Sequence, residues 1–145
     1  MQLTRAADYA VRVMIHLATL PPGTRVSRSG LATAAEVPEH FLSKVLQSLG
    51  RARLIAAHRG TNGGFALAVA PEEVSVLRIV EAIEGPLQLN LCLGYGGCTR
   101  QNWCPAHLVW LEAQAALAQV LRNASIAKLA RDRAPQGSQV AYPWD

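Results

Sequence analysis

The sequence predicts a mainly α fold with one small β-hairpin (α+β), a winged helix-turn-helix followed by a long dimerisation helix. Three observations predict it. Between Ser29 and Ala52 a short helix, a tight break and an amphipathic helix with a basic outer face follow one another. Two short β-prone runs then flank the glycine-rich stretch Arg59-Gly60-Thr61-Asn62-Gly63-Gly64. Finally, a helical pattern from Pro105 to about Arg122 carries two separate apolar stripes.

Each element has its own justification. From Thr4 to Thr19 the apolar residues Leu3, Ala6, Ala10, Val13 and Leu17 recur every three or four positions, a helix buried over a wide face. Leu20-Pro21-Pro22-Gly23 stops it. A short helix follows near Ser29 to Ala35, then a break at Glu36-Val37-Pro38, with Pro38 expected in the first turn of the next helix, where its missing amide costs nothing. In that helix, Pro38 to about Ala52, Leu42, Val45, Leu46 and Leu49 form one core-facing stripe. Leu54 to His58 and Phe65 to Val69 read as strands, joined by the glycine-rich tip as a wing. Pro71 restarts helix, and Val76 to Glu84 is a short amphipathic piece closed by Gly85-Pro86. In the long helix, Leu108, Leu111, Ala115 and Ala118 mark one stripe and Trp110, Leu117 and Leu121 a second. Two apolar faces exceed what one small domain covers, so a twin subunit is the expected partner. The chain therefore divides into a winged helix-turn-helix region (1–70), a connecting helix and cysteine loop (71–104), a dimerisation helix (105–131, closing with a helical turn or two from Ser125) and a flexible tail (132–145).

Composition narrows the function. The 145 residues are one domain's worth, 50% are hydrophobic and 17% charged, a globular balance. No apolar run approaches the roughly 18 to 20 residues needed to span a bilayer, and the polar start Met-Gln-Leu-Thr is unlike a signal peptide. A cytoplasmic protein with no membrane association is expected. Charge is uneven: residues 1–64 hold eight basic residues against three acids, net +5, whereas residues 65–145 hold six against seven, net −1. The N-terminal half is thus suited to a polyanion. No phosphate-binding loop and no nucleophile–base pair is present, so an enzyme is not expected.

The polyanion expected is double-stranded DNA. His40, Ser43, Lys44, Gln47 and Arg51 fall on the face opposite the apolar stripe, rich in hydrogen-bond donors and free of acids. Lying in a major groove, that row brings His40, Lys44 and Gln47 to base edges. Ser27, Ser29 and Arg51 suit phosphates. At the wing, Arg59, with Thr61 and Asn62 beyond it, suits a neighbouring minor groove. A dimer would read a palindromic operator.

All three cysteines, Cys92, Cys98 and Cys104, fall in one loop at five-residue gaps, with His107 three residues beyond the last. An odd number excludes complete pairing in disulfides, and structural zinc usually takes ligand pairs about two to four residues apart. Wider gaps let a loop wrap something larger than one ion, and Gly94, Gly96 and Gly97 let the backbone approach it. Cys104 is the expected N-cap of the long helix, whose dipole favours a thiolate, and His107 at the third helical position lies beside it. Three thiolates leave an iron–sulfur cluster one ligand short.

Arg59-Gly60-Thr61-Asn62-Gly63-Gly64-Phe65-Ala66-Leu67, the opening Met1-Gln2-Leu3-Thr4 with Asp8-Tyr9-Ala10, and the cysteine spacing together resemble the IscR/NsrR/RirA family of winged-helix iron–sulfur regulators, over residues 1 to about 131. The resemblance implies a homodimeric transcription factor, mostly repressing, controlled by an iron–sulfur cluster that senses redox state, nitric oxide or iron–sulfur status. It offers two fourth ligands. His107 matches the histidine that completes a 2Fe–2S site in IscR-type relatives, and Asp8 matches the aspartate, from the partner subunit, that completes a 4Fe–4S site in NsrR-type relatives. Where IscR-type relatives carry a glutamate in the recognition helix this chain has Ser43, so their operator preference does not transfer. The competing expectation is a cluster-free regulator whose thiols act as a switch or bind zinc.

Overall fold

Helix α1 spans Arg5–Ala18 in the computed structural model of the protein, which describes residues 2–132. The expected tail over 132–145 lies, apart from Asp132, outside the described residues. The Thr4 hydroxyl accepts the Ala7 amide at 3.2 Å, satisfying one of the donors that the first turn leaves unpaired. Ala7, Ala10, Val13, Met14 and Leu17 are all buried, as their spacing demands.

Helix α2 spans Arg28–Ala34 and is capped by Ser27, whose Oγ accepts the Gly30 amide at 3.1 Å. Helix α3 spans Glu39–Arg51, with Leu42, Val45, Leu46 and Leu49 buried. It starts one residue later than expected. Pro38 has an extended ψ of 133° and occupies the N-cap, where its carbonyl accepts the Phe41 and Leu42 amides at 3.0 and 3.3 Å. A proline suits that place too, because no helical bond is asked of its nitrogen.

The turn between α2 and α3 is closed by the Val37 amide donating to the Ala32 carbonyl at 2.9 Å, with Glu36 at φ 53°. The left-handed region disfavours any side chain with a Cβ, and glycine is the usual occupant of this place after a helix. Glu36→Gly is therefore expected to stabilise the fold by about 0.5–1 kcal/mol, the relief of strain being partly offset by glycine's greater freedom when unfolded. Thermal melting checks it: the midpoint should rise by roughly 2–3 °C. A fall would show that the Glu36 side chain contributes more than its backbone strain costs.

Strands β1 (Ile55–His58) and β2 (Gly64–Leu67) pair antiparallel, Ile55 opposite Leu67 and His58 opposite Gly64. Val26 extends this ladder, exchanging both backbone bonds with Phe65 at 2.8 and 2.9 Å. A single 3-10 turn, Pro71–Glu73, leads to α4 (Val76–Glu84), which ends at Gly85 with φ 84°. After the cysteine loop come α5 (Pro105–Asn123) and α6 (Ile126–Arg131). The start of α6 is stitched to the start of α4 by Ile126 donating to Val74 and Val76 donating to Ala124, at 2.9 and 2.8 Å.

Helices α3, α4 and α6 pack around α1, and Met14, Leu31, Leu42, Leu49, Leu54, Ile79 and Ile126 fill the space between them. Together the elements make a mainly helical winged helix-turn-helix. Helix α5 stands apart: none of its residues is buried, and it leans on α4. In the stripe Trp110, Leu117 and Leu121 the two leucines are half-buried and Trp110 is 39% exposed, whereas Leu108 and Leu111 of the other stripe are 71% and 43% exposed. Among the described residues no helix is long and apolar enough to cross a membrane.

Candidate functional site

Two surfaces carry chemistry. The first is the outer face of α3 with the wing. His40, Ser43, Lys44, Gln47 and Arg51 are all exposed there, because the four buried leucine and valine positions turn the opposite side inward. The His40 ring lies 4.5 Å from that of Phe41, and Phe41 in turn meets Tyr9 of α1 edge-on at 5.5 Å. Ser27 and Ser29 are exposed at the start of α2 with their hydroxyls 3.3 Å apart, and Ser27 is also the cap. Arg59, Thr61 and Asn62 are exposed at the wing. Sequence reasoning passed over Arg25, which donates from Nη1 to the Asn62 carbonyl at 3.2 Å.

The second surface is the loop from Gly85 to Cys104. Its turns are set by Gly96 and Gly97, at φ 102° and 66°, and by Gly97 donating to the Gly94 carbonyl at 3.1 Å. Gly94 itself lies under the Gln88 side chain, where any Cβ would collide with the amide. Cys92, Cys98 and Cys104 are free thiols, each half-buried. The Cys98 sulfur accepts the Arg100 amide at 3.4 Å, and Cys104 is the N-cap of α5 with no side-chain bond of its own. His107 sits one turn into α5, and its Nδ1 is buried with no hydrogen-bond partner. An imidazole nitrogen left unpaired away from water is costly, so this atom is well placed to take a partner.

The donors suit an iron–sulfur group: three free thiols and one unpaired imidazole nitrogen. A single protomer does not gather them, however, since among the described residues no three Cys, His, Asp or Glu side chains are grouped as metal ligands. Asp8, the other candidate, projects from α1 and pairs with Arg12 at 2.8 Å, both about half exposed.

Two residues that position the loop, Glu81 and Gln114, and one that ties α4 to the start of α1, Glu84, were missed from sequence. Leu87 donates to Glu81 at 3.2 Å, Leu89 donates to Gln114 of α5 at 2.8 Å, and Glu84 accepts the Thr4 amide at 2.7 Å. No local motif announces them, because each bond joins separate elements.

With this geometry in place, comparison with known proteins is decisive at the family level. The model of Rrf2, "Iron-dependent Transcriptional regulator", matches residues 3–132. The chain belongs to the Rrf2 family. It is a transcriptional regulator and not an enzyme. Among Rrf2-type relatives, the HTH-type transcriptional regulator NsrR of Geobacillus kaustophilus is 35% identical over 136 residues, 92% of either chain. The oxidised form of Staphylococcus aureus CymR superposes with a TM-score of 0.73 at 25% identity, over 93% of this chain and 100% of that one. T. potens IscR superposes with a TM-score of 0.75 at 22% identity, over 100% and 97%, and at that identity shows a shared fold.

Proposed function

We propose that this Rrf2-family regulator is a homodimeric repressor of a palindromic operator, controlled by an iron–sulfur cluster held by Cys92, Cys98, Cys104 and His107. The observation that carries the reading is the buried, unpartnered Nδ1 of His107 beside a loop containing every thiol of the chain. The family's description as iron-dependent and the similarity to a protein named NsrR support it. The cluster supplies, when bound, a centre responsive to redox state, nitric oxide or iron–sulfur supply. On DNA, the exposed row of α3 (His40, Ser43, Lys44, Gln47, Arg51) reads the major groove, Ser27 and Ser29 hold phosphates, and Arg59 with Thr61 and Asn62 reaches the minor groove.

The chain's own residues link the two surfaces. Glu81 and Gln114 hold the first residues of the cysteine loop against α4 and α5, and Glu84 ties the end of α4 to the start of α1, on which α3 packs. A shift of the loop is thus felt at the element beneath the recognition helix. Only about 1.4 kcal/mol between two arrangements changes operator affinity tenfold.

Anaerobic purification followed by visible absorption and Mössbauer spectroscopy tests the reading. Cluster absorption is expected in the native protein and is expected to vanish in Cys98→Ala. The Mössbauer spectrum should change in His107→Ala and stay unchanged in Asp8→Ala. The reverse pattern would transfer the fourth ligand to Asp8 of the partner subunit and so displace His107. A colourless, iron-free protein that still binds its operator would sink the cluster altogether. One observation favours that second reading, a thiol switch: a protomer presents three half-buried thiols that are not gathered as ligands. That an oxidised form of the similar CymR has been crystallised is in keeping with it.

A further inference from the structure

We propose that Arg25 is the positioning residue of the wing, fixing its tip relative to the start of α2. The inference rests on the DNA-binding reading above and extends it to a residue outside the recognition row. Four consecutive residues form a bracket between the two elements. The Thr24 hydroxyl donates to the Pro21 carbonyl at 2.6 Å, which fixes the approach to the bracket. Arg25 reaches across 37 positions of sequence and donates to the Asn62 carbonyl at 3.2 Å, at the wing tip. Val26 exchanges two backbone bonds with Phe65 in the wing's second strand. Ser27 caps α2 and is itself exposed beside Ser29.

The backbone pairing at Val26 and Phe65 anchors the second strand close to the turn, next to the closing pair His58 and Gly64. Beyond that pairing, among the described residues the turn itself, Arg59 to Gly63, is held by the Gly63 amide donating to the Gly60 carbonyl at 3.0 Å and by Arg25. Asn62 and Thr61 are exposed, so the tip has no apolar anchor of its own. Arg25 forms no ion pair among the described residues, and no acid lies between Arg12 and Glu36 in the sequence. Its guanidinium is therefore spent on a backbone carbonyl while its remaining N–H groups stay free on a surface that faces a polyanion. Held this way, Asn62 and Arg59 keep a set distance from the phosphate-binding hydroxyls of Ser27 and Ser29. The wing and the helix-turn-helix then meet DNA as one rigid unit rather than as a helix with a loose arm.

The test uses the full chain with Arg25→Met, which keeps the aliphatic stem and removes the donor, and Arg25→Lys, which restores a donor and a charge. In the free protein, amide exchange at Gly63 is expected to quicken by roughly fivefold in Arg25→Met, the loss of one exposed hydrogen bond, and to recover most of the way in Arg25→Lys. Exchange at Leu46 and Leu49 of α3 should not move. Unchanged Gly63 exchange in Arg25→Met would overturn the proposal whatever happens on DNA. With operator bound, hydroxyl-radical footprinting should show Arg25→Met losing protection under the wing while keeping it under α3. Uniform loss across the footprint would also overturn it, making Arg25 an ordinary phosphate contact. A loosened tip with an untouched footprint would leave the positioning role standing and remove the wing from the DNA reading.

Discussion

Gly64→Ala is expected to destabilise the protein by about 2–4 kcal/mol and to weaken operator binding at least tenfold. Two separate costs add at this position. The backbone has φ 138°, a conformation that side chains bearing a Cβ rarely adopt, worth roughly 1–2 kcal/mol. An added Cβ would also stand 2.6 Å from the Val26 carbonyl oxygen and 2.8 Å from its carbon, backbone atoms that cannot rotate away. Relief requires Val26 to withdraw from Phe65, which breaks the pair of hydrogen bonds that join the wing to the helix-turn-helix. Gly60 supplies the control, because it has φ 101° but nothing within 4 Å of an added Cβ. Gly60→Ala should cost only the conformational part, about 1–2 kcal/mol. Thermal melting of both variants separates the two contributions, with a midpoint fall of roughly 10 °C for Gly64→Ala and about a third to a half of that for Gly60→Ala. Equal falls would show that Val26 yields freely and that the wing is not held by this contact.

The same wing shows what a sequence can and cannot disclose. Its glycine run announces a hairpin, because Gly60, Gly63 and Gly64 have no other reason to stand in six residues. The α3 stripe is equally plain: Leu42, Val45, Leu46 and Leu49 repeat at helical spacing and all are buried. Local pattern fails where two distant elements meet. Glu84 and Thr4 are 80 positions apart, Arg25 and Asn62 are 37 apart, and nothing in either neighbourhood marks the partner. Pro38 was legible as a helix start, but its exact place depended on whether its carbonyl or its ring opened the helix, and the carbonyl does. The cysteine loop was legible as a chemical inventory and not as an assembled site. Spacing counts thiols, whereas gathering them depends on loop contacts such as Gln88 over Gly94 and Leu89 on Gln114. Periodicity also gave α5 two apolar faces without saying which one α4 would cover.

The exposed leucines of that helix yield the second large effect. Leu108→Glu combined with Leu111→Glu is expected to convert the proposed homodimer to a monomer at micromolar concentration and to weaken operator binding more than a hundredfold. Both leucines are exposed on the protomer, at 71% and 43%. A two-fold interface presents the same patch twice, so two substitutions place four carboxylates in it. Burying an uncompensated charge costs several kcal/mol, more than enough to abolish association. The folded protomer should barely notice, because Leu108 and Leu111 are both exposed on it. Leu121→Glu is the contrasting variant. Leu121 is half-buried within the protomer, so its replacement should lower protomer stability by about 2–3 kcal/mol. Sedimentation velocity and melting at two protein concentrations distinguish the outcomes. The native protein should melt higher when concentrated, as an associating system does, and the Leu108/Leu111 variant should melt at the same temperature throughout. A double variant that remains dimeric would place the interface elsewhere, and α5 would then need another explanation for its uncovered face.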